Sequence, residues 1–318
     1  MGARRVTEET FLEERFRPTV DEILRREGYF DLFIFHDGRF VKGKDARITP
    51  FDHGVLLGDG VFEGIRAYEG YVFKLDEHID RLFDSAHAMG LRIPLSKEEM
   101  KRAVVLTLRK NGLRDAHVRP VVLRGPGRLG LDPRRSVRPT VMVLAYPFPP
   151  LLGEKPVRLL ISSVRRKSPH SVDSKVKSTS YIDNIAAKLQ ANAAGMDDAI
   201  LLDMDGYVAE ACGENIFALK GEVLSTPTTT AALHGVTRAV VMEIACNIGF
   251  KVQERNMTPQ ELYCADEAFL TGTAAEIVPI AEVDGRKIGE AAPGPLTHKL
   301  IEAFKEYRRQ NKGTPIYE

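Results

Sequence analysis

The sequence predicts an α+β protein built from two domains, and three observations support this fold class. The chain has 318 residues, which is more than one compact domain usually holds. Strand and hairpin signals fill residues 31–146 around two helical patterns, and a stretch rich in proline and glycine follows at 147–156. Short strands and helices then mix over residues 157–318. We therefore expect a small antiparallel sheet domain with two helices, an interdomain linker, and a larger β-rich domain with helices.

The first domain is preceded by a strongly charged stretch, residues 1–30, which predicts a helical or loose extension. Two turn pairs then stand between apolar runs, Asp37-Gly38 and Glu69-Gly70. Such pairs adopt the positive φ angles that tight hairpin turns need. We therefore predict two β-hairpins in this part of the chain.

Two helices and two further strands complete the predicted first domain. Apolar residues recur at helical spacing over 76–89, and Gly90 supplies the stop. Ser96 begins the sequence SKEE, a capping box that opens a helix running to about residue 111. Strands are predicted at 117–123 and 140–146.

The second domain begins with a predicted strand at 158–164 and an amphipathic helix at 181–194. The apolar side chains of that helix fall on one face: Ile182, Ile185, Ala186, Leu189 and Ala193. Four short strands follow, punctuated by Asp205-Gly206 and Lys220-Gly221. A helix is predicted at 236–249, and the sequence TPQE at Thr258 is a second capping box with proline in the first turn.

Composition excludes several classes of function. Lys plus Arg number 45 and Asp plus Glu 44, so the net charge of +1 provides no field for nucleic acid or an anionic membrane. The charged N-terminus is unlike a secretory signal, and no apolar run reaches membrane-span length. Cys212, Cys246 and Cys264 are odd in number and lack metal-ligand spacing, which predicts reduced thiols, no metal site and a cytoplasmic location. A small-molecule partner is the expectation that remains.

Lys177 is a candidate nucleophile, because it lies in the sequence SKVKSTSY just ahead of the amphipathic helix. A lysine on such a loop can reach a carbonyl group, and desolvation or a neighbouring cation can keep its amine neutral part of the time. Lys175 and Lys167 lie close by, and spacing alone does not exclude either. Most lysines are solvated surface residues, so the pattern by itself leaves the choice open.

Glu210 ends the predicted strand GYVAE, where a carboxylate could face a cleft and pair with a protonated cofactor ring. Glu214, four residues on, is the competing carboxylate. Either side chain could instead be a solvated glutamate at a strand end.

Three segments suit a phosphate group. The sequence HGVTRAVV, residues 234–241, places Gly235 and Thr237 at a helix N-terminus, where free N–H groups favour an anion. The sequence TGTAA, residues 271–275, follows an apolar strand with small residues and two hydroxyls. Arg81 adjoins the apolar face of its helix, and its guanidinium could bind a phosphate with two hydrogen bonds. A helix cap or an exposed arginine would produce the same pattern.

Taken together, these segments resemble the class IV (fold type IV) aminotransferases that use pyridoxal 5'-phosphate, and most closely the branched-chain amino acid aminotransferases. The matching stretches occur in the family's order over most of the chain: FDHGVLLGDGVFEGIR, VFKLDEHIDRLFDSA, VRPVV, KSTSYIDNIAAK, DDAILLDMDGYVAEACGENIFALK, HGVTR, ADEAFLTGTAAEIVPIAEVDG and GPLTHKL. The resemblance implies a two-domain fold in which the larger domain is a pseudo-barrel, and a homodimer or higher homo-oligomer.

The resemblance also implies roles for single residues. It makes Lys177 the catalytic lysine that binds the cofactor covalently and moves a proton at the substrate. The residues it implies around the cofactor are Arg81, Tyr181, Glu210, Val236, Thr237 and Thr273. The residues it implies around the substrate are Phe62, Gly64, Arg119, Thr273 and Ala274. Arg119 matches an arginine that receives the side-chain carboxylate of glutamate in such enzymes.

Several departures from the family pattern bear on the lysine and on the substrate. Tyr181 follows Lys177 by four residues, where many branched-chain enzymes have five, and the longer spacing would place Val176 at the lysine position. Valine cannot condense with an aldehyde, so the shorter spacing is the consistent one. Leu57 stands where relatives often carry a tyrosine, which weakens the expectation of 2-oxoglutarate as acceptor.

Arg128 could match the arginine with which D-amino acid aminotransferases hold the α-carboxylate. The histidine two residues later is Gly130 in this chain, and the cleft tyrosine is Phe62. Two of the three members of that carboxylate site are therefore absent, and Arg128 is equally consistent with a solvated loop residue or with a contribution to a neighbouring subunit.

The leading hypothesis is transfer of the amino group of L-leucine, L-isoleucine or L-valine to a 2-oxo acid by a ping-pong mechanism. The alternative within the same reaction class is transamination of D-amino acids or (R)-amines. A different reaction of the same fold is the elimination of pyruvate by 4-amino-4-deoxychorismate lyases. A non-enzymatic descendant that only binds the cofactor is the remaining hypothesis. Neither the exact donor nor the preferred acceptor follows from the sequence.

Overall fold

The computed structural model describes residues 18–147 and 155–317. Most of the predicted linker, and residues 1–17 of the predicted extension, lie outside these ranges. The described chain forms two β-sheets, each packed against helices, which confirms the α+β fold class. Within the described residues, no helix is both long and apolar enough to cross a membrane.

The α-helices of the described residues are, in chain order, α1 (Val20–Arg26), α2 (His53–Leu57), α3 (Leu75–Ala88), α4 (Lys97–Lys110), α5 (Ile182–Ala193), α6 (Val236–Asn247), α7 (Pro259–Tyr263) and α8 (Pro295–Gln310). The first sheet contains β1 (Phe33–His36), β2 (Arg39–Lys42), β3 (Gly60–Phe62), β4 (Ile65–Tyr68), β5 (Tyr71–Val72), β6 (Ala116–Leu123), β7 (Thr140–Tyr146) and β17 (Thr314–Pro315). The second sheet contains β8 (Val157–Arg165), β9 (Asp198–Leu202), β10 (Val208–Ala211), β11 (Asn215–Lys220), β12 (Val223–Thr226), β13 (Lys251–Glu254), β14 (Glu267–Gly272), β15 (Glu276–Val283) and β16 (Arg286–Lys287).

The first sheet is antiparallel, and both predicted hairpins are present in it. β1 pairs with β2 across Asp37 (φ 49°) and Gly38 (φ 84°), and β4 pairs with β5 across Glu69 (φ 51°) and Gly70 (φ 92°). These positive φ angles are the ones that a two-residue hairpin turn requires. The prediction of both hairpins is therefore confirmed.

Helices α3 and α4 cover one face of the first sheet. The predicted capping box at the start of α4 is present, since Ser96 accepts a hydrogen bond from the Glu99 amide and Glu99 reaches back to Ser96. Ile79 and Leu82 from α3 pack with Val118 of β6 in a fully buried core. The opposite face of β6 is left free to line a cleft.

The second sheet is mixed, in the order β10-β9-β8-β15-β14-β11-β12-β13. β8 runs parallel to both of its neighbours, β9 and β15, whereas β14 pairs antiparallel with β11 and β15. The stacked rings of Phe217 and Phe269 lie in its core. This curled sheet agrees with the predicted β-rich second domain.

The C-terminal segment returns to the first sheet, although the sequence places residues 157–318 in the second domain. Thr314 pairs with Val72 of β5, and the following Ile316 is fully buried in the first core. The long helix α8 precedes this strand and was not predicted as an element. Only two residues pair in β17, so the sequence carries no strand signal there.

Helix α5 buries a different face from the apolar one seen in the sequence. Ala187 and Ala191 are fully buried with residues of the second sheet, while Ile182, Ile185 and Leu189 are 70%, 54% and 62% exposed. Small alanine side chains let the helix approach the sheet closely. The larger apolar residues therefore point away from the core of this chain.

Candidate active site

A cavity of about 610 Å³ opens between the two sheets. Its walls come from segments that are far apart in the sequence: the end of β3, helix α3, strand β6, the segment ahead of α5, the start of α6, and the turn between β14 and β15. Predicted site residues that line it are Phe62, Gly64, Arg81, Arg119, Lys177, Tyr181, Val236, Thr237, Thr273 and Ala274. The fold thus brings together ten of the twelve predicted site residues on one surface.

Lys177 lies in this cavity and is held by its backbone. Its N–H donates to Ser85 Oγ on α3 at 3.1 Å, and its carbonyl accepts from the Phe62 N–H at 3.0 Å. Its Nζ lies 3.0 Å from the Tyr181 hydroxyl and 4.7 Å from the centre of the Phe62 ring. The segment ahead of α5 therefore presents an amine to the cavity in a fixed position.

The two rival lysines lie elsewhere. Lys167 Nζ hydrogen-bonds the Ser180 carbonyl and lies 3.3 Å from Asp183, so it has its own partners. Lys175 is exposed on the turn before Lys177 and lines a separate groove behind α3. Of the three lysines, only Lys177 has its side chain at the cavity.

Glu210 is buried at one side of the cavity, just behind its lining. One carboxylate oxygen lies 2.7 Å from Arg166 Nη2, and the other accepts from the Leu233 N–H at 2.9 Å. Burial raises the pKa of Glu210, and the charge of Arg166 opposes this effect. Arg166 was not singled out in the sequence, because nothing in its local pattern connects it with a glutamate 44 positions away.

Glu214 is also buried and lines the cavity, but its surroundings differ. Burial and the neighbouring Asp198 raise its pKa, so a proton on this carboxyl is favoured. Glu210 has an arginine partner instead, which favours its ionised form. An ionised acceptor for a protonated ring is therefore better provided by Glu210.

The N-terminus of α6 forms an anion cradle with α3. Gly235 caps the helix without a side-chain hydrogen bond, so the first N–H groups of α6 have no side-chain partner among the described residues. Thr237 follows in the first turn, and Arg81 donates from Nη1 to the His234 carbonyl at 2.8 Å. Free N–H groups, a hydroxyl and a guanidinium are the groups that bind a phosphate.

Arg81 is itself held by a buried network that was not predicted. Glu63 is fully buried and accepts from Arg81 Nε and Nη2 at 2.7 and 2.8 Å, and it lies 2.8 Å from His78 Nδ1. Burial alone would raise the pKa of Glu63, but the charges of Arg81 and His78 hold it well below its usual range. Glu63 lies in the stretch VFEGIR, where a glutamate inside an apolar run was the available signal.

The turn between β14 and β15 closes the cavity on a third side. Thr273 and Ala274 line it, and Gly272 lies so close to Glu214 that a Cβ there would come within 3.2 Å of Glu214 Cγ. The hydroxyl of Thr271 is buried and has no hydrogen-bond partner within the described ranges. A bound molecule in the cavity would satisfy such a hydroxyl.

Two residues discussed above lie apart from the cavity in this chain. Arg128 is on an exposed loop, where its carbonyl accepts a hydrogen bond from His53 Nε2 at 3.0 Å. Leu57 is 49% exposed at the end of α2. The single chain therefore does not group Arg128 with the other predicted substrate residues.

Comparisons with known proteins agree with this site. Residues 60–283 match the family model described as amino-transferase class IV. The branched-chain-amino-acid aminotransferase of Pseudomonas aeruginosa is 41% identical, covering 86% of this chain and 92% of that protein.

Two solved structures are similar in fold and sequence. A branched-chain aminotransferase of Thermoproteus uzoniensis with norvaline has a TM-score of 0.85 and 39% identity, covering 90% of this chain and 99% of that one. A branched-chain amino acid aminotransferase of T.th., complexed with N-(5'-phosphopyridoxyl)-L-glutamate, has a TM-score of 0.82 and 38% identity, covering 86% and 93%. Because the family model spans more than half of the chain and includes the residues around Lys177, this protein belongs to the class IV aminotransferases.

Proposed function

We propose that this protein is a pyridoxal 5'-phosphate-dependent aminotransferase that moves the amino group of a branched-chain L-amino acid to a 2-oxo acid. One observation carries the proposal: Lys177 Nζ and the Tyr181 hydroxyl lie 3.0 Å apart in a cavity that the N-terminus of α6 also lines. An amine, a phenol and an anion cradle in one cavity are the groups that this cofactor needs.

The residues present fit the cofactor. Arg81, Thr237 and the first N–H groups of α6 would hold its phosphate, and Thr273 would add a hydroxyl. Glu210, with Arg166 behind it, would face the ring nitrogen, and the Tyr181 hydroxyl would bind the ring oxygen. When bound, pyridoxal 5'-phosphate accepts the amino group and draws electrons from the substrate's Cα.

Lys177 is the proposed acid and base. Its amine takes a proton from the substrate's Cα and returns one during the second half of the reaction. Tyr181 keeps the amine in place, and the Phe62 ring beside it excludes water from that side. Because the first product leaves before the second substrate binds, the kinetics are ping-pong.

The substrate class is supported by the cavity wall and by the similar proteins. Phe62 gives the cavity an apolar side, with its ring 5.2 Å from that of Tyr181, which suits an aliphatic side chain. The proteins named above are branched-chain aminotransferases, and one was solved with norvaline, another aliphatic amino acid. Arg119, above the Phe62 ring, suits the second carboxylate of glutamate or 2-oxoglutarate, and another relative was solved with a glutamate adduct.

A panel of donors and acceptors tests this proposal. Both enantiomers of leucine, alanine and 1-phenylethylamine should be assayed with pyruvate and with 2-oxoglutarate. We expect L-leucine with 2-oxoglutarate to be the fastest pair. Turnover of D-alanine or the (R)-amine without L-leucine activity would overturn the substrate assignment, and pyruvate release without any acceptor would indicate a lyase.

We also propose that the protein is a homo-oligomer in the cytoplasm. The exposed apolar face of α5 and the exposed residues Phe51, Leu131 and Val137 support an assembly, because large apolar patches on one chain commonly mark contacts between subunits. Cys212, Cys246 and Cys264 are free thiols, which suits a reducing compartment.

A further inference from the structure

His117 shares the cleft-facing side of β6 with Arg119. Side chains two residues apart on a strand point to the same face, so the core-facing residues of β6 alternate with these two. Ala116, Val118 and Val122 are fully buried in the first core, whereas His117 and Arg119 line the cavity. His117 is nevertheless only 3% exposed, which fixes its ring within the wall.

The two side chains are in contact. His117 Nε2 lies 3.3 Å from Arg119 Nη2. A guanidinium can only donate hydrogen bonds, so Nε2 must be the acceptor and the histidine must be neutral. The direction of this hydrogen bond therefore follows from chemistry alone.

The surroundings of His117 keep it in that neutral form. Burial and the positive charges of Arg119 and Arg66 lower the pKa of His117 to about 3. Arg66 is its cross-strand neighbour on β4, and the Tyr146 ring lies 5.6 Å away on β7. The ring is therefore available as an acceptor throughout the pH range in which enzymes work.

Arg119 is oriented but not neutralised. Its guanidinium lies 4.7 Å from the centre of the Phe62 ring, and within residues 18–147 and 155–317 it forms no ion pair with a carboxylate. Its Nε is buried and has no hydrogen-bond partner in the same ranges. A guanidinium held by a ring on one side and an acceptor on the other presents its remaining donors to the cavity.

We propose that His117 is a positioning residue that orients Arg119 toward the second carboxylate of a dicarboxylic substrate, and so gives 2-oxoglutarate its advantage over monocarboxylic 2-oxo acids. This inference rests on the proposed function and deepens it. His117 acts only through Arg119. It also compensates for Leu57, which has no hydroxyl to offer that carboxylate.

The test compares His117→Phe with His117→Gln in the holoenzyme. Phenylalanine keeps the ring and removes the acceptor, whereas the glutamine amide oxygen can occupy the place of Nε2. We expect His117→Phe to raise KM for 2-oxoglutarate about tenfold, the scale of one hydrogen bond to a charged group. KM for 4-methyl-2-oxopentanoate and kcat with either acceptor should stay within about twofold, and His117→Gln should restore most of the lost affinity.

A second pair of variants isolates the route through Arg119. In an Arg119→Leu background, adding His117→Phe should leave KM for 2-oxoglutarate unchanged. Inhibition by glutarate, which binds without reacting, should weaken in His117→Phe in parallel with KM. If His117→Phe does not fold, His117→Asn replaces it, because its shorter amide cannot reach Arg119.

Three outcomes would overturn the proposal: equal changes in KM for both acceptors, a glutamine variant as impaired as the phenylalanine one, or a further loss in the Arg119→Leu background. Each can be seen in an enzyme that still transaminates L-leucine. An inactive wild-type protein would instead refute the proposed function, so the two failures are distinguishable.

Discussion

Lys177 differs from its two neighbours through contacts that are fixed by the fold. The three lysines lie within 11 positions of one another, and their local sequences are similarly polar. Only Lys177 is tied to α3 through Ser85, to β3 through Phe62, and to the Tyr181 hydroxyl. The residue scale therefore depends on partners that are distant in sequence.

Replacement of Lys177 by alanine tests its assignment directly. We expect the variant to lose the visible absorption of the lysine-bound cofactor and to lower kcat by about four orders of magnitude or more, because the covalent link and the proton carrier disappear together. Lys175→Ala is the matched control, since Lys175 is exposed and lies outside the cavity. A Lys175 variant with the same loss would show that the lysine spacing is wrong.

Helix α3 is joined to the segment between β3 and β4 by the network of Glu63, His78 and Arg81. Three hydrogen bonds converge on a carboxylate that is fully buried. A buried charge is tolerated only when its partners stay in place. The network therefore sets the position of α3, and with it the position of Arg81 beside α6.

Replacement of Glu63 by glutamine should lower the free energy of unfolding by about 3 kcal/mol, because two cations lose their buried partner. It should also weaken binding of pyridoxal 5'-phosphate, since Arg81 loses its support. Urea unfolding and cofactor titration are the measurements. The control is Glu77→Gln on the same helix, whose exposed ion pair with Lys74 should contribute less than about 1 kcal/mol.

The same substitution predicts a pH dependence. The pKa of Glu63 is lower in the folded protein than its usual value of 4.5, so its stabilising effect is present above that pH and is lost as the pH falls. The difference in unfolding free energy between wild type and Glu63→Gln should therefore shrink below pH 4.5, by up to about 1.4 kcal/mol per pH unit. A difference that stays constant into acid would contradict the assignment.

The whole molecule leaves apolar surface uncovered in a way that its composition does not require. Leu189 on α5 is 62% exposed beside other apolar residues of the same helix face, which is the pattern of a surface buried by another copy. Assembly would also bring the exposed loop that carries Arg128 near a neighbouring subunit. The cavity in one chain would then be completed by a second chain.

Replacement of Leu189 by arginine tests this assembly. We expect the variant to dissociate at protein concentrations where the wild type is oligomeric, because a charge would be buried against an apolar partner surface. Light scattering coupled to size-exclusion chromatography measures the mass. Val20→Arg is the control, since Val20 is an exposed apolar residue on α1. A wild-type protein with the mass of one chain would refute the proposed oligomer.

Local patterns were sufficient for much of the fold. The turn pairs Asp37-Gly38 and Glu69-Gly70 and the capping boxes at Ser96 and Thr258 predicted elements that the structure contains, because each depends on residues within a few positions. Helix α8 was not predicted as an element, and β17 depends on Thr314 meeting Val72 across the whole chain. Patterns that rely on distant partners give no local signal.

The sequence by itself determined the reaction class, since the order of its motifs identifies the family, and it determined which residue types serve the cofactor. Only the tertiary structure decided how they are used. It separated Lys177 from Lys167 and Lys175, placed Arg166 behind Glu210, and locked Arg81 to Glu63. It also set His117 against Arg119. The physical reason is that charge, burial and hydrogen bonding act over a few ångströms in space, and only folding decides which residues come that close.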